Sequence, residues 1–431
     1  MFNAERSRRG KVALLIAFGF LSACLHGCSG LPPPLSPESF PSPIEDDGWV
    51  RELLRASPPL SPLAERAEEH RLQILVSEVI EGTAGSPPRL RRHGYRLESE
   101  YFYPASAIQL YAALGVAQWL TVTQRDAKRR DSFAADLSSA VRIGPATPGD
   151  DPITRDESNL AGGTITLGHE IRKLCIVSDN RAFDRLFELM SGPGLSRSAR
   201  DAGFHSVRVR HRLGEEEAPA DAEDLPLRRF EIEGKPWGTV VMNVFTLPEV
   251  RLDPIEPAEV PIGRAHLRDG VRVARPMDFS EKNVTSIADL QDALITTLRP
   301  EIEVGKPGYT LSDECRSFLA RALCELPRAS KNPIFDPESN PDDHVNFLLP
   351  GLRRVIPAED LDVYAKTGLA YGFTVVNSYV VDRKAKKSFF IAACLSTNAN
   401  ETLNDGIDEY DEVAMPFWTE LGEALARSLL R

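Results

Sequence analysis

Positive charge is in short supply in this chain. Lys and Arg number 51 against 63 Asp and Glu, a net charge of −12, which excludes the basic face that nucleic-acid phosphates require. Metal-ligand spacing is missing as well. The eight histidines are scattered and neither H-E-x-x-H nor C-x-x-C occurs, so the sequence offers no metal site. Cysteine is sparse: beyond Cys24 and Cys28 there are only Cys175, Cys315, Cys324 and Cys394. Cys315 and Cys324 share one helical stretch, where nine positions at about 100° each set them on opposite faces, so they should not bond to each other. The apolar run "VALLIAFGFLSA" at residues 12–23 is short for a membrane span, which needs roughly 20 residues.

That run is informative for what surrounds it. Arg6, Arg8, Arg9 and Lys11 precede it and Cys24 follows, the layout of a secretory signal. "LSAC", Leu21 to Cys24, resembles the lipobox of bacterial lipoproteins, in which the cysteine is lipidated and becomes the mature N-terminus; "LHGC", ending at Cys28, fits less well because of His26. Next comes "GLPPPLSPESFPSPIEDDG", residues 30–48, whose Pro and Ser content specifies an extended tether. The expected organisation is a signal peptide at 1–23, a tether at 24–48 and one folded domain at 49–431. The protein is expected to be exported and held at a membrane by a lipid on Cys24, periplasmic or at the cell surface.

Within the domain, "HRLQILVSEVI" (70–80) alternates and is β-branched like a strand. Residues 104–122 read as a buried helix. Residues 166–191 hold two helical patterns parted near Ser178, the second placing Phe183, Leu186, Phe187 and Met190 on one face. Helices are expected again at 286–298 and 312–326, and 327–344 is a polar loop. Three strands, "DVYAKTG", "FTVVNSYVVD" and "KSFFIAACLST", precede a last helix, "MPFWTELGEALARSLL". Strands, then helices, then a meander and a closing helix make an α+β pattern: an antiparallel sheet formed by both chain ends, with a mostly helical region inserted.

Three short stretches carry chemistry together. Ser106 opens the helix "SAIQ"; Ser178, Asp179 and Asn180 spell "SDN"; Lys366, Thr367 and Gly368 spell "KTG" and are followed by "LAYGF". Singly, each is an ordinary helix start, an N-capped turn or a hairpin end. In this order, the set resembles the S-x-x-K, S-D-N and K-T-G motifs of class A β-lactamases and penicillin-binding proteins. The flanks "YFYPAS", "YGFTVVNSYVVD" and "NDGIDEYDEVAMPF" resemble an extracellular branch of these serine hydrolases, over roughly residues 70–431.

The resemblance implies a β-lactamase-like fold, no cofactor, and a role for each residue. Ser106 is the nucleophile, and its N–H with that of Leu369 forms an oxyanion hole. Ser178 relays a proton to the leaving nitrogen, Asn180 holds the substrate amide, and Lys366 and Thr367, with Gly368, bind the carboxylate of a β-lactam or peptidoglycan stem peptide. The departure is Gln109, which stands where the family has lysine. An amide can orient Ser106 but cannot take its proton, a loss of general-base catalysis worth about 10²–10⁴. No deacylating base is assigned: Glu215, Glu216, Glu217 and Glu223 lie in an acidic run, outside the family's E-x-x-L-N context. The functions weighed are a weakened serine acyl-transfer enzyme, a catalytically inactive relative that binds a cell-wall peptide or other carboxylated ligand, and a purely structural envelope lipoprotein.

Overall fold

In a computed structural model of the chain, the described residues are 43–83, 85–130, 133–145, 151–214, 229–234, 238–243 and 260–431. The signal peptide, Cys24, most of the tether and the acidic residues from Glu215 to Glu223 lie outside them.

The elements that build the site are β1 (Gln73–Ile80), β2 (Arg89–Tyr95), α1 (Gln109–Arg130), α2 (Leu167–Val177), α3 (Asn180–Met190), α4 (Ile287–Leu298), α5 (Asp313–Cys324), β3 (Leu361–Ala365), β4 (Gly368–Ala370), β5 (Phe373–Asp382), β6 (Lys387–Ser396) and α6 (Met415–Leu425). In the main sheet the strand order is Ile44–Glu45, β2, β1, β6, β5, β3, with β4 also on β5. β6 pairs antiparallel with β1, Ile391 opposite Val76 and Ala393 opposite Ile74. The two ends of the domain therefore meet in mid-sheet, and the fold is α+β as the order of elements implies.

Alternation divides the sheet into two buried faces. Leu75, Phe390, Ala392 and Cys394 face the core of α1 to α5. Ile74, Val76, Phe389, Ile391 and Ala393 face the core that α6 closes with Phe417, Trp418 and Leu421. Helix α1 is buried nearly all round; it is long and apolar enough to cross a membrane, yet it lies in this core. Ser286 and Ser312 cap α4 and α5, accepting from Asp289 N and Cys315 N, as short hydroxyl side chains do at helix starts. Phe183 and Leu186 of α3 are buried, with Phe187 and Met190 packed beside them. Cys175, Cys315, Cys324 and Cys394 are all free thiols.

Three features differ from the sequence reading. Pairing begins ahead of residue 49: Ile44 lies opposite Arg92 in a short parallel strand, and Asp47 accepts from His93 Nδ1 at 2.7 Å. β2 has no place in the sequence reading because "RLRRHGY" is dense in basic residues. Its Arg92 is nevertheless buried, bonded to Asp292 of α4 at 2.6 Å, and Lys306 reaches the same carboxylate at 2.5 Å. Finally, "DVYAKTG" is not one strand. It breaks after Ala365, and Lys366 and Thr367 bridge β3 and β4.

Candidate active site

Ser106 does not open an α-helix. It lies in a 3₁₀ turn, Ala105–Ile108, that feeds into α1 at Gln109, with Ala107 N donating to Pro104 O at 3.0 Å. The residue before the serine, Ala105, has φ 46°. An alanine in that left-handed region costs about 1–2 kcal/mol, a cost sustained only where the surroundings hold it in place. They do so here: Ala105, Ala107 and Ile108 are buried, while Ser106 stays partly exposed at a cleft of about 1370 Å³ that it lines with Tyr103, Asn180, His211, Leu369 and Tyr371.

"SDN" is the turn between α2 and α3. Ser178 ends α2 in the left-handed conformation, φ 60°. Asp179 caps α3, its side chain accepting from Ala182 N at 2.8 Å, and Asn180 begins that helix on the cleft. The N-cap that a structural reading assigns to this tripeptide is real, and it is what aims its two neighbours.

Gln109 is fully buried and joins the first two motifs. Its Nε2 donates to Asn180 Oδ1 at 2.9 Å and to the Ser178 carbonyl at 3.3 Å. Its Oε1 accepts from Ser178 Oγ at 3.3 Å. Both ends of the amide are used, on the α1 face that follows from Ser106.

Lys366 brings in the third motif. Its Nζ donates to Ser178 Oγ at 2.9 Å and to the Thr367 carbonyl at 3.0 Å. Among the described residues no carboxylate is bonded to it, and burial pushes its ammonium down to about 7, the nearby Cys175 opposing this. Burial disfavours the charged form of an amine because water no longer solvates it. Lys366 and Thr367 were expected to face a ligand carboxylate. They are instead 2% and 4% exposed, and neither lines the cleft; the kink between β3 and β4 turns both inward.

Gly368 presses β4 onto the serine turn. A methyl group there would lie 2.3 Å from Pro104 O and 3.1 Å from Ser106 N, so only glycine lets the backbones approach this closely. Leu369, the next residue, is exposed on the cleft. Ser106, Ser178, Asn180, Lys366 and Gly368 thus converge, Lys366 joining the group through Ser178.

Residues that the motifs do not mark surround the cleft: Tyr103, His211 and Tyr371 line it, whereas Phe279 and Asp184 are buried. Tyr103, Phe279 and Tyr371 form an edge-on cluster with centroids 5.2–5.5 Å apart. His211 stacks on Tyr103, and burial holds its imidazolium down at about 4. Asp184 of α3 accepts from Leu213 N and Gly214 N at 2.8 and 3.0 Å, pinning the chain just before the acidic run; burial raises its carboxyl to about 7. "YFYPAS" and "YGF" place two of the aromatics beside motifs, but nothing local marks Phe279, His211 or Asp184.

No protein-family model matches the chain, and no curated protein matches it. Solved structures are similar to it in fold. A β-lactamase from Burkholderia vietnamiensis is 17% identical, with 86% of this chain and 96% of that one covered at a TM-score of 0.46. One from Xanthomonas campestris is 17% identical over 89% and 99% at a TM-score of 0.46. An ancestral class A β-lactamase is 19% identical over 85% and 98% at a TM-score of 0.46.

Proposed function

We propose that the chain is a β-lactamase-related serine hydrolase that acts by acyl transfer on β-lactams or D-alanyl peptides, with Lys366 working through Ser178 in place of the absent S-x-x-K lysine. The observation that supports this reading is the bond from buried Lys366 to Ser178 Oγ, next to the amide that ties Ser178 to the serine-bearing helix. Ser106 Oγ attacks the acyl carbon as its proton passes to Ser178, whose own proton passes to the neutral amine of Lys366. The pair then returns a proton to the leaving nitrogen as the C–N bond breaks. The N–H groups of Ser106 and Leu369 stabilise the oxyanion, and Asn180 orients the acyl side chain.

An amine poised near neutrality suits this work, since a base is most effective when its pKa lies near the operating pH. Acylation is slower than it would be with an amine directly beside Ser106. With no assigned deacylating base, the acyl-enzyme is long-lived. A second reading, a non-catalytic receptor for a carboxylated cell-wall ligand, is favoured by the fully satisfied, unionisable Gln109. We place the protein outside the cytoplasmic membrane, anchored through Cys24.

Incubation with a fluorescent penicillin tests the first reading. Covalent label on Ser106, mapped by mass spectrometry and lost in Ser106→Ala, is the expected result. An unlabelled protein whose melting temperature rises with a peptidoglycan fragment would establish the receptor instead. Gly368→Ala should slow labelling about 10²-fold, the scale of losing one oxyanion donor, because the new methyl must push β4 away from Ser106 N. Labelling slowed by this factor in a variant that keeps its circular dichroism is the check, and an unchanged rate would contradict this geometry.

A further inference from the structure

The inward turn of Lys366 and Thr367 leaves a question about charge. If the acyl donor carries an anion, the two residues expected to meet it are buried and do not line the cleft. Lys366 is moreover committed to Ser178 Oγ and the Thr367 carbonyl. The cations that line the cleft itself come from elsewhere on the wall.

We propose that Lys282, supported by Arg275, is the anion subsite of this cleft, so that the acyl donor carries a carboxylate on the side of Tyr371. The inference rests on the acyl-transfer reading and adds to it the residue that selects an anionic substrate. Both side chains line the same cleft as Ser106. Lys282 is half-buried, with Nζ over the Tyr371 ring at 5.6 Å from the centroid. That ring belongs to the loop that follows β4. The lysine therefore sits over one ring of an aromatic cluster in which Tyr371, after "KTG", packs on Tyr103, ahead of the serine turn, and on buried Phe279, three residues before Lys282.

Among the described residues, no carboxylate comes within 4.0 Å of the Lys282 ammonium or the Arg275 guanidinium, whereas neighbouring basic groups are paired. Arg212 bonds Glu188 at 2.7 Å, and Arg210 meets Glu281 at 3.3 Å. The acids on this wall have other engagements or face water: Asp278 Oδ1 accepts from Ser280 N, and Asp278 and Glu281 are exposed. A half-buried ammonium over a ring face keeps part of its stabilisation from the π cloud and can still take a carboxylate as a charge-assisted partner.

Binding measured on the Ser106→Ala chain separates recognition from chemistry. Calorimetry with benzylpenicillin and with its methyl ester, which lacks the carboxylate, is the experiment. The free acid is expected to bind at least tenfold more tightly than the ester. Lys282→Met should remove most of that ratio while leaving the ester's affinity unchanged, and Arg275→Met should remove a smaller part. If both ligands bind and Lys282→Met leaves the ratio as it was, the subsite is wrong while the acyl-transfer reading stands. If neither ligand binds and the intact chain is not labelled by fluorescent penicillin, the acyl-transfer reading fails and takes the subsite with it.

Discussion

Gln109→Lys is expected to speed acylation of Ser106 by about 10²-fold or more, within the range that general-base catalysis supplies. The position is ready for it. The glutamine side chain is fully buried, and its donor end already meets two acceptors, Asn180 Oδ1 and the Ser178 carbonyl, which would receive an amine in the same way. Lys366 sits on the other side of Ser178 Oγ, so two amines would share one hydroxyl. Two ammonium groups cannot both persist so close together without water, so one of them is neutral at neutral pH and free to take a proton. Burying a second amine costs stability, and a lower melting temperature should accompany the gain. The rate is read as pseudo-first-order labelling by a fluorescent penicillin, with circular dichroism as the control for folding. An intact variant that labels no faster would mean that Ser106 lacks something other than a base.

Lys366→Met should have the opposite effect, cutting acylation by about 10²–10⁴-fold, because methionine keeps the volume and apolar stem but neither takes nor returns a proton. In the unsubstituted chain, acylation should rise with pH and level off above about 7, where the Lys366 ammonium has lost its proton. This inflection should vanish from the residual rate of the variant. Stability carries a second signature. The folded-state pKa is depressed from 10.5 to about 7, so between these values the unfolded chain holds a proton that the folded chain lacks. Folding stability from this group therefore rises with pH across that window, by about 1.4 kcal/mol per unit, and is lowest below pH 7. Methionine removes the penalty. The variant should melt well above the unsubstituted chain at pH 6, and the gap should close towards pH 10. A constant gap would show that Lys366 is charged in place, and the proposed base would be lost with it.

Much of this arrangement was legible in the residues themselves. The alternation of "FTVVNSYVVD" and "KSFFIAACLST", the two helical patterns that meet at Ser178, and the order of the three motifs are local signals. Local hydrophobic period and backbone preference are enough to produce them. "RLRRHGY" was illegible for the converse reason: the burial of Arg92 is made tolerable by Asp292, 200 positions away, and no window along the chain contains both. The same holds for Lys282, which becomes part of the cleft only when its segment folds against Tyr371.

The sequence by itself determined the α+β order, the pairing of both domain ends, and the spacing that sets an amide three positions after Ser106. Tertiary structure alone decided that Ser106 sits on a strained turn, that Gln109 is locked by Ser178 and Asn180, and that Lys366 faces inward with a depressed affinity for its proton. The reason is that residue type fixes what a side chain can do, whereas its solvation and partners, which set charge and reach, come from segments that are distant in the chain and adjacent only once it has folded.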